Sequence, residues 1–368
     1  MSGIIVHEWL QSNGGSENVF DVLSRTFPDA ERFCLWNDSA GRFEGVEETW
    51  LARTPLRHSK VASLPVMPTV WRHLPAREAD WILCSSHAFA HHARFAGPAR
   101  DAPKLVYAHT PARYVWVPEL DGRGVSRASR AVAGMLKPID RHRAREATAI
   151  AANSRFIASR IADKWDREAE VIYPPVDVSA FAATPQLLSD ADQATLDALP
   201  ADFLLGVSRF VPYKRLEAVI DAGIASGAPV VLAGAGPEEK RLRHHALGHP
   251  GAVSFVEKPS LPLLQALYRR ARALVFAPVE DFGIVPVEAM ASGTPVIANA
   301  IGGAAESVVD GVTGAHVHEW SISELREAVD RVAGLSAADC VARAYDFDIG
   351  VFQGAMRDWV SRHTSESA

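Results

Sequence analysis

The stretch EDFGIVPVEAMASGTP, Glu280 to Pro295, follows the apolar run ALVFAP and sets two glutamates eight residues apart around Phe282 and Gly283. A short β-branched run that ends in a loop and passes into a helical period is the turn of a β-α unit. Such units in series build a doubly wound parallel sheet. Glu280 falls in the loop. Pro286 suits a first helical position, and Glu288 then falls near the third, where a carboxylate favours the helix dipole and can cap backbone donors. Capping alone would account for Glu288, but it leaves Glu280 and Gly283 without a purpose. A glycine at a strand-to-helix turn lets backbone N–H groups approach a ligand, with the positive helix end aimed at an anion. Carboxylates beside it suit vicinal hydroxyls, because each oxygen can accept. The stretch is built for a ligand that has both hydroxyls and phosphate, as a sugar nucleotide does.

The same alternation runs through the whole chain. Strands are expected at GIIVHEW, WILCSS, KLVYAH and AIAANS in the first half, and at FLLGVS, PVVLAG, VSFVEK, ALVFAP, PVIANA and GAHVH in the second. The expected fold class is α/β, with two Rossmann-like domains in residues 1–183 and 184–345. The stretch FAATPQLLSDADQATLDALPAD, Phe181 to Asp202, reads as the linker. Ligands of α/β sheets bind at the carboxyl ends of the strands, so two such domains are expected to face each other across a cleft.

The loops after the strands carry the informative residues. FLLGVS leads into GVSRFVPYKRLE, where Arg209 and Lys214 lie five apart around Pro212. Two cations so placed can converge on a diphosphate, Arg by its fork and Lys as a point charge, and stabilise a leaving group as its charge grows. In HEWLQSNGGSENVF the pair Gly14-Gly15 lies between the first strand and the first helix, a tight loop able to approach phosphate or an acceptor. In HTPARYVW, His109 ends a strand before Thr110-Pro111. Histidine there is as often structural as it is a proton-transfer group.

Composition narrows the class. The 368 residues are 48% hydrophobic with mean hydropathy −0.01, as in soluble globular proteins, and are long enough for two cores. No apolar run approaches the roughly 20 residues of a membrane span, and MSGIIVHEWL lacks the flank and cleavage site of a signal peptide, so a cytoplasmic location is expected. Cys34, Cys84 and Cys340 are too scattered for a disulfide framework or a metal site, and read as reduced core residues. The net charge of −6 divides into +2 for residues 1–183 and −8 for the remainder. Two stretches concentrate basic charge, LARTPLRHSKVASLPVMPTVWRHLP and RGVSRASRAVAGMLKPIDRHRAR, the second with seven Lys/Arg and one Asp. Each suits either a solvated amphipathic helix or a peripheral contact with an anionic membrane. No nucleic-acid partner is expected.

SRFVPYKR, GAGPEEKRL, EDFGIVPVEAMASGTPVIA and GGAAESVVDGVTG together resemble the donor domain of retaining GT-B glycosyltransferases of family 4. The resemblance continues through HEWLQSNGGSENV, SSHAFA, HTPARYVW, ANSRFIASRI and VIYPPVD, which are most similar to bacterial mannosyltransferases that build O-antigen and exopolysaccharide repeats from GDP-mannose. It implies a GT-B fold and transfer of a hexose, mannose first, from a nucleotide sugar to a glycan or lipid-linked acceptor with retention of configuration. It further implies that Glu280 binds donor-sugar hydroxyls with backbone help from Phe282, Gly283, Ile284 and Val285, and that Glu288 binds the ribose diol. Arg209 and Lys214 would hold the diphosphate, Gly14 and Gly15 would approach it from the other domain, and His109 would contact the donor sugar. Glu257 and Lys258, in FVEKPS, would frame the base. The last segment, 346–368, would be a helix crossing back to the first domain. Departures at Asn13 and Ser16 fall where acceptor recognition is expected.

No cofactor and no metal are implied, since the departing phosphate itself helps take the acceptor proton and Arg209 and Lys214 supply the positive charge. The acidic pairs DAD (Asp190 to Asp192) and DFD (Asp346 to Asp348) lie in the linker and at the start of the last helix. Four rival readings stay open. A UDP-sugar-dependent transferase on a small soluble acceptor fits the same residues. AGAGPEE suggests a dinucleotide-binding dehydrogenase, although Glu239 stands at the third glycine position. A sugar-nucleotide epimerase would share the donor chemistry, and a non-catalytic membrane-surface protein would use only the basic stretches.

Overall fold

The protein is described from a computed structural model over residues 2–117, 127–183, 187–249 and 253–365. It divides into two compact units, Met1–Pro175 with Ile349–Ala368, and Val176–Asp348.

The first unit is built on seven parallel strands: β1 (Gly3–His7), β2 (Glu31–Cys34), β3 (Glu47–Glu48), β4 (Trp81–Ser86), β5 (Lys104–Ala108), β6 (Ala149–Ala152) and β7 (Glu170–Val171). Their spatial order is β3-β2-β1-β4-β5-β6-β7, the doubly wound order with its reversal between β1 and β4. Both faces are covered, so a central strand is apolar throughout: all of β1 is buried, with Ile4 and Val6 in one core layer and Ile5 in the other.

Three helices of this unit matter below: α1 (Gly15–Thr26), α2 (Arg127–Ala144) and α3 (Arg155–Trp165). The helix Ile349–Ser365 also belongs here. Phe352, Met356, Trp359 and Val360, a stripe at helical spacing, join the core layer of Ile5, Leu83 and Tyr107. The Phe352 ring stands edge-on to Tyr107 at 5.6 Å between centroids, and Arg362 pairs with Glu170 at 2.7 Å.

The second unit holds six parallel strands: β8 (Leu204–Val207), β9 (Val230–Ala233), β10 (Val253–Val256), β11 (Ala273–Phe276), β12 (Val296–Asn299) and β13 (Gly314–Val317). The order β10-β9-β8-β11-β12-β13 repeats the doubly wound pattern, and its reversal lies between β8 and β11.

The boundary falls at Pro175/Val176 and not at 183/184, because Val178–Ala182 is a helix tied to the second unit. Its carbonyls at Ala180 and Phe181 accept from Gln265 and Arg269, both at 2.8 Å. The expected linker is also partly helical. Asp190–Asp197 forms a helix capped by Ser189, and it docks through Ser260 to Asp192 at 2.8 Å and Arg270 to the Leu196 carbonyl at 2.6 Å. The short edgeward strands β2, β3 and β7 had no counterpart in the sequence reading: with two to four residues and charges in each, they carry too little apolar pattern to register. All three cysteines are free and buried. Among the described residues no helix is long and apolar enough to cross a membrane.

Candidate active site

In the second unit the site grows out of the topology. The loops after β8 and β11, the two strands at the reversal, carry Arg209 to Lys214 and Glu280 respectively. Ligands of open α/β sheets bind at such a reversal. There the Lys214 ammonium donates to Glu280 Oε1 as an ion pair, both side chains being largely shielded from solvent. Arg209 is exposed and donates to Tyr213 OH at 3.3 Å. Its loop turns through the 3₁₀ segment Pro212–Lys214 and a left-handed Arg215, φ 50°.

The turn after β9 holds this loop in place. A Cβ on Gly234 would lie 1.8 Å from the Ser208 carbonyl oxygen, and one on Gly236 2.4 Å from that of Phe210. Phe210 N–H donates to the Ala235 carbonyl at 2.9 Å and Glu238 N–H to the Phe210 carbonyl at 3.0 Å. The glycines of AGAGPEE thus have a use unrelated to a dinucleotide: two backbones pack directly on one another.

A second glycine pair supports Glu280. Gly303 N–H donates to the Glu280 carbonyl at 2.8 Å, and a Cβ on Gly303 would come within 2.3 Å of the Asp281 carbonyl oxygen and of the Phe282 Cα. The sequence reading gave Gly302 and Gly303 no role. Their signal was a glycine pair just after a strand, the same cue that was used for Gly14 and Gly15.

Gly283, with φ 89°, precedes helix α4 (Ile284–Ala291), whose first turn has no side-chain cap. The left-handed glycine lets the helix begin at once, so Pro286 is its third residue and Glu288 its fifth, not the first and third. Glu288 therefore does not cap. Its Oε2 accepts from Tyr268 OH at 3.1 Å, and loss of hydration raises its pKa to about 7 while the Tyr268 bond pulls the other way. Phe282 is buried, and Ile284 and Val285 are half-buried. Glu257 and Lys258 follow β10 exposed, Lys258 left-handed at φ 44°, with 3.6 Å between their charged groups.

In the first unit His109 is buried at the end of β5, its Nε2 2.9 Å from Ser85 Oγ. Burial first, then His87 and His7 nearby, hold its pKa well below the ordinary value, so the ring is neutral. Ser85 Oγ also meets His7 Nδ1 at 3.1 Å. Beside them the buried Glu8 Oε1 accepts from the backbone N–H groups of His87, Ala88 and Ala90 at 3.0, 2.8 and 2.9 Å, while Oε2 lies 3.1 Å from His87 Nδ1. Burial alone would raise Glu8; His87 and these donors hold it well below the carboxylate range. Glu8 and His87 sit at the β1/β4 reversal, and sequence reasoning passed over both, although each directly follows a strand. Gly14 and Gly15 open α1, and a Cβ on Gly14 would meet the buried Glu17 carboxylate at 2.0 Å.

A further cluster ties the helices of this unit together. The buried Asp140, on α2, faces His91 Nε2 at 3.2 Å and His92 Nε2 at 3.0 Å through Oδ1, and accepts from the indoles of Trp116 and Trp165 at 2.6 and 2.7 Å through Oδ2. Its carboxylate is thus enclosed by four protein groups, three of them hydrogen-bonded to it.

Of the basic stretches, the first is largely engaged internally. Arg57 pairs with Asp38, Arg72 with Glu146, and Lys60 lies 4.6 Å from the Trp9 ring centre. In the second, residues 123–126 lie outside the described residues. The remainder is α2, with Met135 66% and Ile139 42% exposed beside the exposed Arg130, Arg141 and Arg145.

Residues 191–342 match the family profile of glycosyl transferases group 1, and residues 13–180 that of glycosyltransferase family 4. A D-inositol 3-phosphate glycosyltransferase from Mycolicibacterium smegmatis is 31% identical over 223 residues, covering 54% of this chain and 50% of that protein. The alpha-1,3/1,6-mannosyltransferase alg-2 of Neurospora crassa is 29% identical over 227 residues, covering 50% and 48%. The chain thus spans about half the length of these relatives. Among solved structures, Anabaena Alr3699/HepE in complex with UDP superposes with a TM-score of 0.69 at 20% identity, covering 98% of this chain and 100% of that one. One glycosyl transferase profile thus lies on each Rossmann-like unit, group 1 on the second and family 4 on the first, and the fold is that of GT-B proteins.

Proposed function

We propose that the protein transfers a hexose from a nucleotide sugar to a glycan or lipid-linked acceptor with retention of configuration, and that mannose from GDP-mannose is the first choice of donor. The observation that carries the reading is the Lys214–Glu280 ion pair at the β8/β11 reversal. It sets a cation for phosphate beside a carboxylate for sugar hydroxyls, where α/β sheets take their ligands. Arg209 is free to add its fork to the diphosphate, and Glu288 to accept from a ribose diol. The backbone N–H groups of Ile284 and Val285, at an uncapped helix start, suit the anionic end of the donor. A neutral, buried His109 is a hydrogen-bonding partner for sugar hydroxyls and not a cationic acid. Growth of charge on the departing diphosphate would be met by Arg209 and Lys214 without a metal.

A UDP-sugar donor is the second reading, favoured by the likeness to a fold that binds UDP. The exposed Met135 and Ile139 among arginines on α2 support a peripheral approach to an anionic membrane, where a lipid-linked acceptor would be met. The deciding experiment compares thermal stabilisation by GDP, UDP and their sugar conjugates, then follows the anomeric configuration of the product with and without chelator. A ligand at 100 times its Kd stabilises by about 2.7 kcal/mol. No shift with any nucleoside diphosphate, or an inverted product, would overturn the reading.

A further inference from the structure

At the opposite end of the first sheet from His109 lies a cavity of about 310 Å³, lined by Arg72, Arg94, Arg100, Lys104 and Glu146 with Ile82 among its apolar walls. Lys104 opens β5 and His109 follows its last residue, so the two sites are roughly 16 Å apart at about 3.3 Å per residue. The charges in the cavity do not balance. Glu146 is the one carboxylate in the lining, and it is already engaged by Lys104 at 3.0 Å, by Arg143 at 2.6 Å and by Arg72 at 2.5 Å. Lys104 is buried and also donates to the carbonyls of His91 and Ala93 at 3.0 and 3.2 Å. Arg94, half-buried, and Arg100, exposed, have no acceptor for their guanidinium groups among the described residues. Five cations therefore surround one carboxylate.

Such an arrangement costs stability in the free protein. Burial depresses the Arg72 pKa, and although Glu146 opposes this, Arg143 and Arg94 depress it further, a sign of like-charge crowding. A half-buried arginine without a partner, as Arg94 is, serves poorly as a structural group, because a guanidinium removed from water needs acceptors. Such arginines serve well as a preformed receptor for a multiply charged anion, since the fork geometry matches phosphate oxygens. The volume lies at the lower end of the range of small-ligand pockets, large enough for a diphosphate or a small phosphate ester.

We propose that this cavity is a binding site for a small phosphate-bearing anion, separate from the donor site, with Arg94 and Arg100 as its unfilled donors. The anion seats against Arg94, Arg100 and Arg72, and the Glu146 charge is offset by its three existing partners. The apolar wall at Ile82 leaves room for a compact organic group on the phosphate. Nothing in this proposal depends on the identity of the sugar donor.

Inorganic pyrophosphate is the probe, titrated at constant ionic strength into the full chain carrying Arg209→Ser and Lys214→Ser, so that the cations of the proposed donor site are gone. The expected result is a concentration-dependent rise in melting midpoint that sodium chloride does not reproduce. Adding Arg94→Ser and Arg100→Ser should weaken that binding at least tenfold, as should the single charge reversal Arg100→Glu. Without anion, the Arg94→Ser/Arg100→Ser protein should melt at the same temperature as its parent or higher, because repulsion is relieved and no hydrogen bond is lost. A destabilised variant would show that the arginines are structural. Pyrophosphate that stabilises all variants equally, or none of them at millimolar concentration, would overturn the proposal. Neither outcome bears on nucleotide-sugar binding, which is read separately with the unsubstituted chain.

Discussion

Glu288 offers a test in which the structure fixes the sign. Its pKa rises from 4.5 to about 7 as its surroundings remove water, with the Tyr268 hydroxyl pulling the other way. A carboxyl whose folded pKa lies above its unfolded one contributes stability that is fully present below about pH 4.5 and is lost as pH rises through about 7. At roughly 1.4 kcal/mol for each factor of ten, that displacement corresponds to about 3 kcal/mol. Glu288→Gln removes the titration while keeping an oxygen for Tyr268. The difference in unfolding free energy between the substituted and native proteins should therefore change by about 3 kcal/mol, in favour of Gln, between pH 4.5 and pH 8. For a cooperative unit of this size that is roughly 6–12 °C in Tm. Urea melts at several pH values, followed by tryptophan fluorescence, provide the assay. If Glu288 accepts from a ribose diol, saturating nucleoside diphosphate should shrink the difference at pH 8, because hydroxyl donors favour the ionised form. Parallel stability curves for the two proteins across this range would refute the reasoning.

The other expectations are more direct. Glu280→Gln should reduce turnover by one to several orders of magnitude while nucleoside diphosphate binding survives or tightens, because Lys214 loses its internal partner; calorimetry alongside steady-state rates separates the two. Gly303→Ala must displace the Asp281–Phe282 backbone and should cost about 1–3 kcal/mol together with most of the activity, whereas Gly311→Ala, where a Cβ meets nothing within 4 Å but φ is +75°, should cost only about 1 kcal/mol of backbone strain. Asp140→Ala strands two indole N–H groups and two histidines in the core and should destabilise the first unit by about 3–5 kcal/mol, as seen by chemical denaturation. Replacing Met135, Ile139 and Arg141 by Ser should weaken sedimentation with anionic vesicles without changing nucleotide binding; wild-type protein that ignores such vesicles at low salt would end the membrane reading.

The residues that could be read in advance are those whose type is unusual for their place in a β-α repeat. Lys214 and Glu280 stand out because loops directly after apolar strands are short, and a charge there has few structural uses. All ten expected strands are present, since a parallel sheet covered on both faces writes itself as runs such as GIIVH and ALVF. The residues that escaped were of two kinds. Gly234, Gly236, Gly302 and Gly303 act through contacts with loops tens of residues away, and only the third dimension shows which backbone each one admits. Glu8, His87 and Asp140 belong to buried networks whose members come from separate β-α units, and a lone acid or histidine in the sequence carries no mark of such a partner. The helix start at Ile284 was misplaced for a third reason: proline is favoured at the first helical position, but a left-handed glycine can begin the helix earlier and leave proline inside the first turn.

The two sheets share one strand order but use their reversals differently, and that contrast bears on mechanism. At β8/β11 the facing charges are Lys214 and Glu280, joined to each other, so a ligand carrying phosphate and hydroxyls can take over both partners at once. At β1/β4 the charge is Glu8, whose Oε1 already accepts from three backbone N–H groups while Oε2 lies against His87. Glu8 therefore fixes the loop after β4, the strand whose Ser85 reaches His109, and the ionised carboxylate is a scaffold there. Neutral His109 and His7 around Ser85 then present hydrogen-bonding nitrogens with no net charge. The charged reversal of the second unit is thus open to an incoming ligand, whereas that of the first is held by its own backbone.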